Sequence, residues 1–186
     1  PFCPVRFAKD SKSPQYKAME RQYGTGNFLH FHHLCMGLNW QRRAVGISSR
    51  QDKERAYLDA KGNYEYIVQH TERDFFMRPL VYVELGKVLL ELKNPGEALK
   101  HFTNAVEFDP KFQQGYVQLV EFYTRIGERK EALKWATAGL RNVPGDRYLQ
   151  KAYLAAGGKE PFPEALAKLP EPALETVALP CVLQEV

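Results

Sequence analysis

The chain has 186 residues, of which 44% are hydrophobic and 26% charged, and a formal net charge of +4. That is ordinary globular composition, long enough for a domain with a real core. Its apolar runs break well short of the roughly 20 residues a membrane-spanning helix needs, which excludes such a span but not a membrane-associated complex. The charge is unevenly laid: residues 1–78 carry 13 Lys and Arg against 8 Asp and Glu, residues 79–156 carry 11 against 9, and residues 157–186 carry 2 against 5. A basic head thus runs into an acidic tail, suited to solvated faces or to a docking tail. No basic cluster is interleaved with aromatics in a recognised motif, so nucleic acid is not an expected partner.

Residues 1–26 are expected to form an extended arm, because Pro1, Pro4 and Pro14 oppose helix and only Gln15 to Gln22 could form a short one. The start at Pro1, with neither Met nor a charged-then-apolar leader, suggests a processed or trimmed chain. Of three cysteines, Cys3 lies in the arm, Cys35 on a predicted helix and Cys181 near the end. The favoured pairing is Cys3–Cys35, which would tether an arm with little core of its own. An arm cysteine and a leaderless start lean toward a bacterial periplasm, cell envelope or exported setting.

Gly24-Thr25-Gly26-Asn27 reads as a break closed by a capping Asn27. From Phe28 to about Val45, Leu34, Leu38 and Gln41 and then Phe31, Met36 and Trp40 recur with helical spacing, and Gly37 is a point where another helix can come close. Asp52 is the expected N-cap of a second helix reaching about Thr71, with Tyr57, Ala60, Tyr64, Ile67 and Val68 on its packing face. Residues 27–78 therefore read as an irregular helical hairpin.

This hairpin carries the densest group of potential metal ligands, His30, His32, His33 and Cys35. On a helix His30 and His33 share one face and His32 and Cys35 another, so two ligand pairs are geometrically available but not one four-ligand site. A closed zinc site would need further ligands from elsewhere. The competing readings are histidines that hydrogen-bond the arm and nearby carbonyls, or a pH-sensitive contact.

Residues 79–112 and 113–146 are one helical hairpin written twice at a 34-residue spacing. Tyr82 falls on Tyr116, Val83 on Val117, Leu85 on Leu119, Glu97-Ala98-Leu99-Lys100 on Glu131-Ala132-Leu133-Lys134, Thr103 on Thr137, and Pro110 on Pro144. Small residues at Gly86, Ala98, Ala105 and Ala132 let helix backbones approach, and large ones at Tyr82, Leu85, Leu89, Phe102, Tyr116, Leu119 and Tyr123 fill the space beside them. Asn94-Pro95-Gly96 and Gly127-Glu128-Arg129 are turn chemistry between helices. The same frame carried back from Pro79 puts Tyr64 where Ala is wanted and Phe76 where Pro is, so the first hairpin is divergent or unrelated. After Pro144, Gly145-Asp146 can cap a helix from Arg147 to Ala156. The tail, residues 157–186, is Pro-rich, with a short helix expected only around Pro163 to Leu169, and its many apolar residues suit packing on its own solenoid or on a partner.

The period, Tyr82, Leu85-Gly86, Leu89, Ala98, Phe102, Ala105 and Pro110 resemble the tetratricopeptide repeat (TPR) family. The resemblance implies an all-α helical-hairpin solenoid, here with an irregular N-terminal helix pair, a C-terminal capping helix and extended terminal segments. It also implies a concave groove lined by the first helix of each repeat. Mapped onto this chain, the groove positions are Leu80, Val83, Lys87, Leu90 and Glu91, then Gln114, Val117, Glu121, Thr124 and Arg125. With only Lys87 and Arg125 basic and Glu121 between them, a clamp for a chain-terminal carboxylate is not expected; an amphipathic or extended segment suits the mixture better. No Gly-rich phosphate loop, His-Glu-x-x-His or nucleophile elbow occurs. The expected function is a non-catalytic interaction or assembly module without cofactor, an accessory or adaptor subunit that binds a protein partner or self-associates. The alternative is a metal-binding or redox accessory protein built on the histidine cluster.

Overall fold

The structure is a computed structural model that describes residues 2–7 and 10–166. Its helices are α1 (Phe2–Phe7), α2 (Pro14–Tyr23), α3 (Thr25–Gly46), α4 (Arg50–His70), α5 (Arg78–Glu91), α6 (Pro95–Phe108), α7 (Gln113–Arg125), α8 (Arg129–Asn142) and α9 (Arg147–Ala155), with no strand among the described residues.

The arm expected to be extended is helical in α1 and α2. Pro14 does not oppose α2 but opens it, next to Ser13, whose Oγ accepts from the Tyr16 N–H at 3.2 Å. Proline at the first helical position loses no intrahelical hydrogen bond and brings a helical φ. Pro4 falls in the first turn of α1, where the same holds.

Asn27 does not cap α3. The helix starts at Thr25 behind Gly24, whose φ of +77° lies in the left-handed region. Asn27 is buried inside it, and its Nδ2 donates to Glu72 Oε2 at 2.8 Å while its Oδ1 accepts from the Glu72 N–H at 2.9 Å, pinning α3 to the segment after α4. The cap of α4 is Ser49 rather than Asp52: Ser49 Oγ accepts from the Asp52 N–H at 3.4 Å, and Asp52 falls in the first turn. At the other end, Asp146 caps α9 by accepting from the Leu149 N–H at 2.9 Å. Residues 163–166 are not helical, and the rest of the expected tail helix lies outside the described residues.

Successive helices pack as hairpins α3/α4, α5/α6 and α7/α8, followed by α9. The helices α3, α5, α7 and α9 also touch one another in turn, whereas among the described residues α4 and α6 do not, nor do α6 and α8. One layer is therefore tighter than the other, and the stack curves with α3, α5, α7 and α9 inside. The first hairpin, although it misses the repeat frame, stacks in register with this alternation.

Small residues make the close approaches. A β-carbon on Gly37 would lie 2.6 Å from Tyr64 Cε1, one on Gly115 would lie 2.6 Å from Val106 Cγ1, and one on Gly86 would run into the Phe102 ring. Tyr64 and Phe102 are fully buried against these glycines. Most of the remaining core is continuous from Phe28 and Phe31 through Ile67, Leu85 and Leu119 to Leu149.

Candidate functional site

The inner layer carries two hollows that meet at Val117 and Tyr148. One, about 360 Å³, is lined by Lys87, Gln113, Gln114, Val117, Gln118 and Tyr148. The other, about 610 Å³, is lined by Val117, Val120, Glu121, Thr124, Arg125, Tyr148, Lys151, Ala152 and Ala155. Together they form a groove running from α5 across α7 to α9. Its floor is a strip of small and branched apolar groups, Val117, Val120, Ala152 and Ala155, and Tyr148, 72% exposed, stands at the join.

The geometry separates the ten groove residues read from the sequence. Lys87, Gln114, Val117, Glu121, Thr124 and Arg125 line the groove. Leu80 and Leu90 are half-buried and do not line it, and Val83 is fully buried, a core residue closed off from any ligand. Glu91 lies in a separate hollow with Arg50, Lys53, Glu54, Tyr57, Leu92 and Lys93, at the start of α4.

Sequence reading missed the contribution of α9. A further step of 34 residues takes Gln114 to Tyr148, Val117 to Lys151 and Glu121 to Ala155, so α9 stands where the first helix of a third repeat would stand. The signal for it in the sequence is the repeat period itself, which places this end-cap helix one step beyond α7.

The charges are arranged in pairs and vacancies. Lys87 Nζ lies 2.8 Å from Glu84 Oε1. Glu84 Oε2 in turn accepts from Gln41 Nε2 at 3.0 Å, and Gln41 Oε1 accepts from the Tyr64 hydroxyl at 2.7 Å. Burial, with the Glu84 carboxylate behind it, raises the Tyr64 phenol far above its ordinary value, so it remains a donor. This relay ties α3 and α4 to the base of the groove. Glu121 accepts from Gln118 Nε2 at 2.9 Å. Among the described residues Arg125 and Lys151 form no ion pair, which leaves two cations beside an apolar strip.

The histidine group has another geometry. Cys35 is disulfide-bonded to Cys3, with the Cα atoms 5.5 Å apart, so its sulfur is no thiolate ligand. His33 Nδ1 donates to Asn63 Oδ1 at 2.8 Å, and the Tyr66 hydroxyl lies 3.2 Å from His30 Nδ1. The His33 and His70 rings stack on Tyr66, with centroids at 3.7 and 3.8 Å. Among the described residues no group of three or more His, Cys, Asp or Glu is placed to hold a metal ion. The metal alternative for His30, His32, His33 and Cys35 therefore fails on geometry: one ligand is oxidised and the rings are turned to stacking and hydrogen bonding.

Among the described residues no helix is long and apolar enough to cross a membrane. No curated protein matches the chain. Residues 89–156, from the end of α5 through α9, match the family model described as Tetratricopeptide repeat, a family whose repeats generally mediate protein–protein interaction. With paired helices stacked in two layers, small residues at the crossings and a 34-residue period, residues 89–156 are a tetratricopeptide-repeat region of this chain.

Proposed function

We propose that the protein is a non-catalytic adaptor or accessory subunit that holds an extended segment of a protein partner in the groove between α5, α7 and α9. The observation that carries this reading is the apolar strip flanked by the unpaired Arg125 and Lys151. Small apolar pockets accept alternate side chains of an extended chain, and the two cations favour a segment that also carries a carboxylate. Lys87, Gln114, Glu121 and Thr124 supply the polar rim. The Cys3–Cys35 disulfide suits an oxidising compartment, in keeping with a periplasmic, envelope or exported setting.

Val117 is half-buried and faces the groove, so Val117→Asp places a charge on the strip without opening the core. Val83 would be a poor choice, because a carboxylate there would be buried unpaired. Val117→Asp combined with Lys151→Glu is expected to weaken binding of the polypeptide that co-purifies with the wild type from its source about tenfold or more, the equivalent of about 1.4 kcal/mol. Titration calorimetry reads the affinity and circular dichroism the helix content. Unchanged affinity with intact helix content contradicts the groove reading.

A further inference from the structure

The N-terminal arm is fastened to α3 by two kinds of chemistry. Cys3 is bonded to Cys35. One turn further on, Arg6 donates from Nε to the Phe28 carbonyl at 3.0 Å and from Nη2 to the Leu29 carbonyl at 2.7 Å. Arg6 Nη2 also lies 3.4 Å from His32 Nδ1, and that ring nitrogen is 3.0 Å from the Leu29 carbonyl. A neutral His32 can present an unprotonated Nδ1 to Arg6 and accept. The cationic ring carries N–H at both nitrogens and can only donate. It then competes with Arg6 for one carbonyl while repelling its charge.

Three more imidazoles surround this contact. The His33 ring is 4.2 Å from His32, and His33, Tyr66 and His70 form one stack. His30 lies 5.5 Å from both Tyr66 and His70. The charged groups acting on His30 are His70 from α4, His33 from α3 and Arg6 from α1. Those acting on His32 are His33 and His30 from α3 and Arg6 from α1. The helices α2 and α5, which also pack on α3, contribute none, and no carboxylate is among these groups. Burial first, and then the neighbouring cations, hold both rings below the ordinary histidine value; at His32 only the Leu29 carbonyl works the other way.

We propose that this cluster is an acid-opened latch: protonation of the imidazoles beside Arg6 lifts α1 off α3 while the Cys3–Cys35 disulfide keeps the arm tethered. Rings whose values are depressed in the closed state bind protons more readily once the arm is off. Lifting α1 relieves the Arg6 charge and the burial that the arm imposes, while His33 and His70 stay in place, so the closed state is favoured at neutral pH and loses ground as pH falls below the ordinary histidine value. The two depressed rings, His30 and His32, lie beside Arg6 with no carboxylate among the groups acting on them, so nothing offsets that loss.

The test is the rate at which a phosphine reductant opens Cys3–Cys35, at about pH 7.5 and about pH 5.0, in the ordinary titration range of histidine. Alkylation of Cys3 and Cys35 followed by mass spectrometry reads it without interference from Cys181, and an unstructured disulfide peptide corrects for the reagent's own pH dependence. The corrected rate of the wild type is expected to rise about fivefold or more on acidification. The His30→Gln, His32→Gln double variant should show a flat profile. Arg6→Gln, which lacks the cation that fastens the arm, should be fast at both pH values. Helix content of every variant is checked by circular dichroism. A flat wild-type profile overturns the latch, and so does a double variant that follows the wild type.

Discussion

Phe102→Ala is expected to lower the unfolding free energy by about 3–5 kcal/mol in denaturant titration. The ring is fully buried and lies across Gly86, where α5 and α6 approach within the first repeat. Truncation removes its contacts and leaves a cavity that two fixed helix backbones cannot collapse around. The same geometry gives a sharper expectation for Gly86. In the wild type Gly86→Ala forces a methyl into the ring, at a cost of about 1–3 kcal/mol. In the Phe102→Ala background that obstacle is gone, and the helix-forming advantage of Ala over Gly, about 1 kcal/mol, should make the same change stabilising. A double-mutant cycle reads the reversal directly. Additive effects would show that Gly86 and Phe102 do not meet.

Arg78→Met is expected to cost about 3 kcal/mol or more, a loss of the kind that follows when buried carbonyls lose a charged donor. Arg78 is 7% exposed, and its guanidinium donates to the Glu72 carbonyl at 2.8 Å, the Thr71 carbonyl at 2.7 Å and the Val68 carbonyl at 2.9 Å. The Val68 carbonyl is one of the orphan acceptors in the last turn of α4 and those of Thr71 and Glu72 follow directly, so the cation also opposes the negative end of the helix. Methionine fills the volume and leaves the acceptors unpaired. Arg78→Lys should recover only a minor part, because an ammonium cannot span three carbonyls as the planar fork does. Hydrogen exchange should show protection lost first at the α4/α5 junction. A change within about 0.5 kcal/mol, the range of ordinary surface substitutions, would mean that the junction does not depend on this residue.

The repeat hairpins were legible because close packing writes itself into sequence: Gly86, Ala98 and Ala105 mark crossings, and Asn94-Pro95-Gly96 marks the turn. An extended arm follows only where proline acts as a helix breaker, and here it does not. Pro4 and Pro14 both sit in first turns, where no intrahelical N–H is required of them. Asn27 and Asp52 carry capping chemistry, but which nearby polar residue caps is a tertiary matter: Asn27 is drawn to Glu72, 45 residues away, and Ser49 takes the place expected for Asp52. In the groove, Val117 and the exposed positions Gln114, Glu121, Thr124 and Arg125 on α7 follow from the family pattern. Val83 is fully buried whereas Val117, at the equivalent repeat position, is half-buried, so the repeat frame alone does not tell which of the two faces the groove. The role of α9 was legible in principle, one period beyond Gln114, Val117 and Glu121.

The measurement that bears most directly on the groove is site-specific photo-crosslinking in the cells that make the protein. A benzophenone side chain in place of Tyr148 stands at the join of the two hollows, and one in place of Lys134 stands on α8, in the outer layer. A partner segment held between α5, α7 and α9 predicts one discrete adduct from position 148, lost when Val117→Asp is added, and none from position 134. An adduct from position 134 alone, equal adducts from both, or none from position 148 would contradict the account.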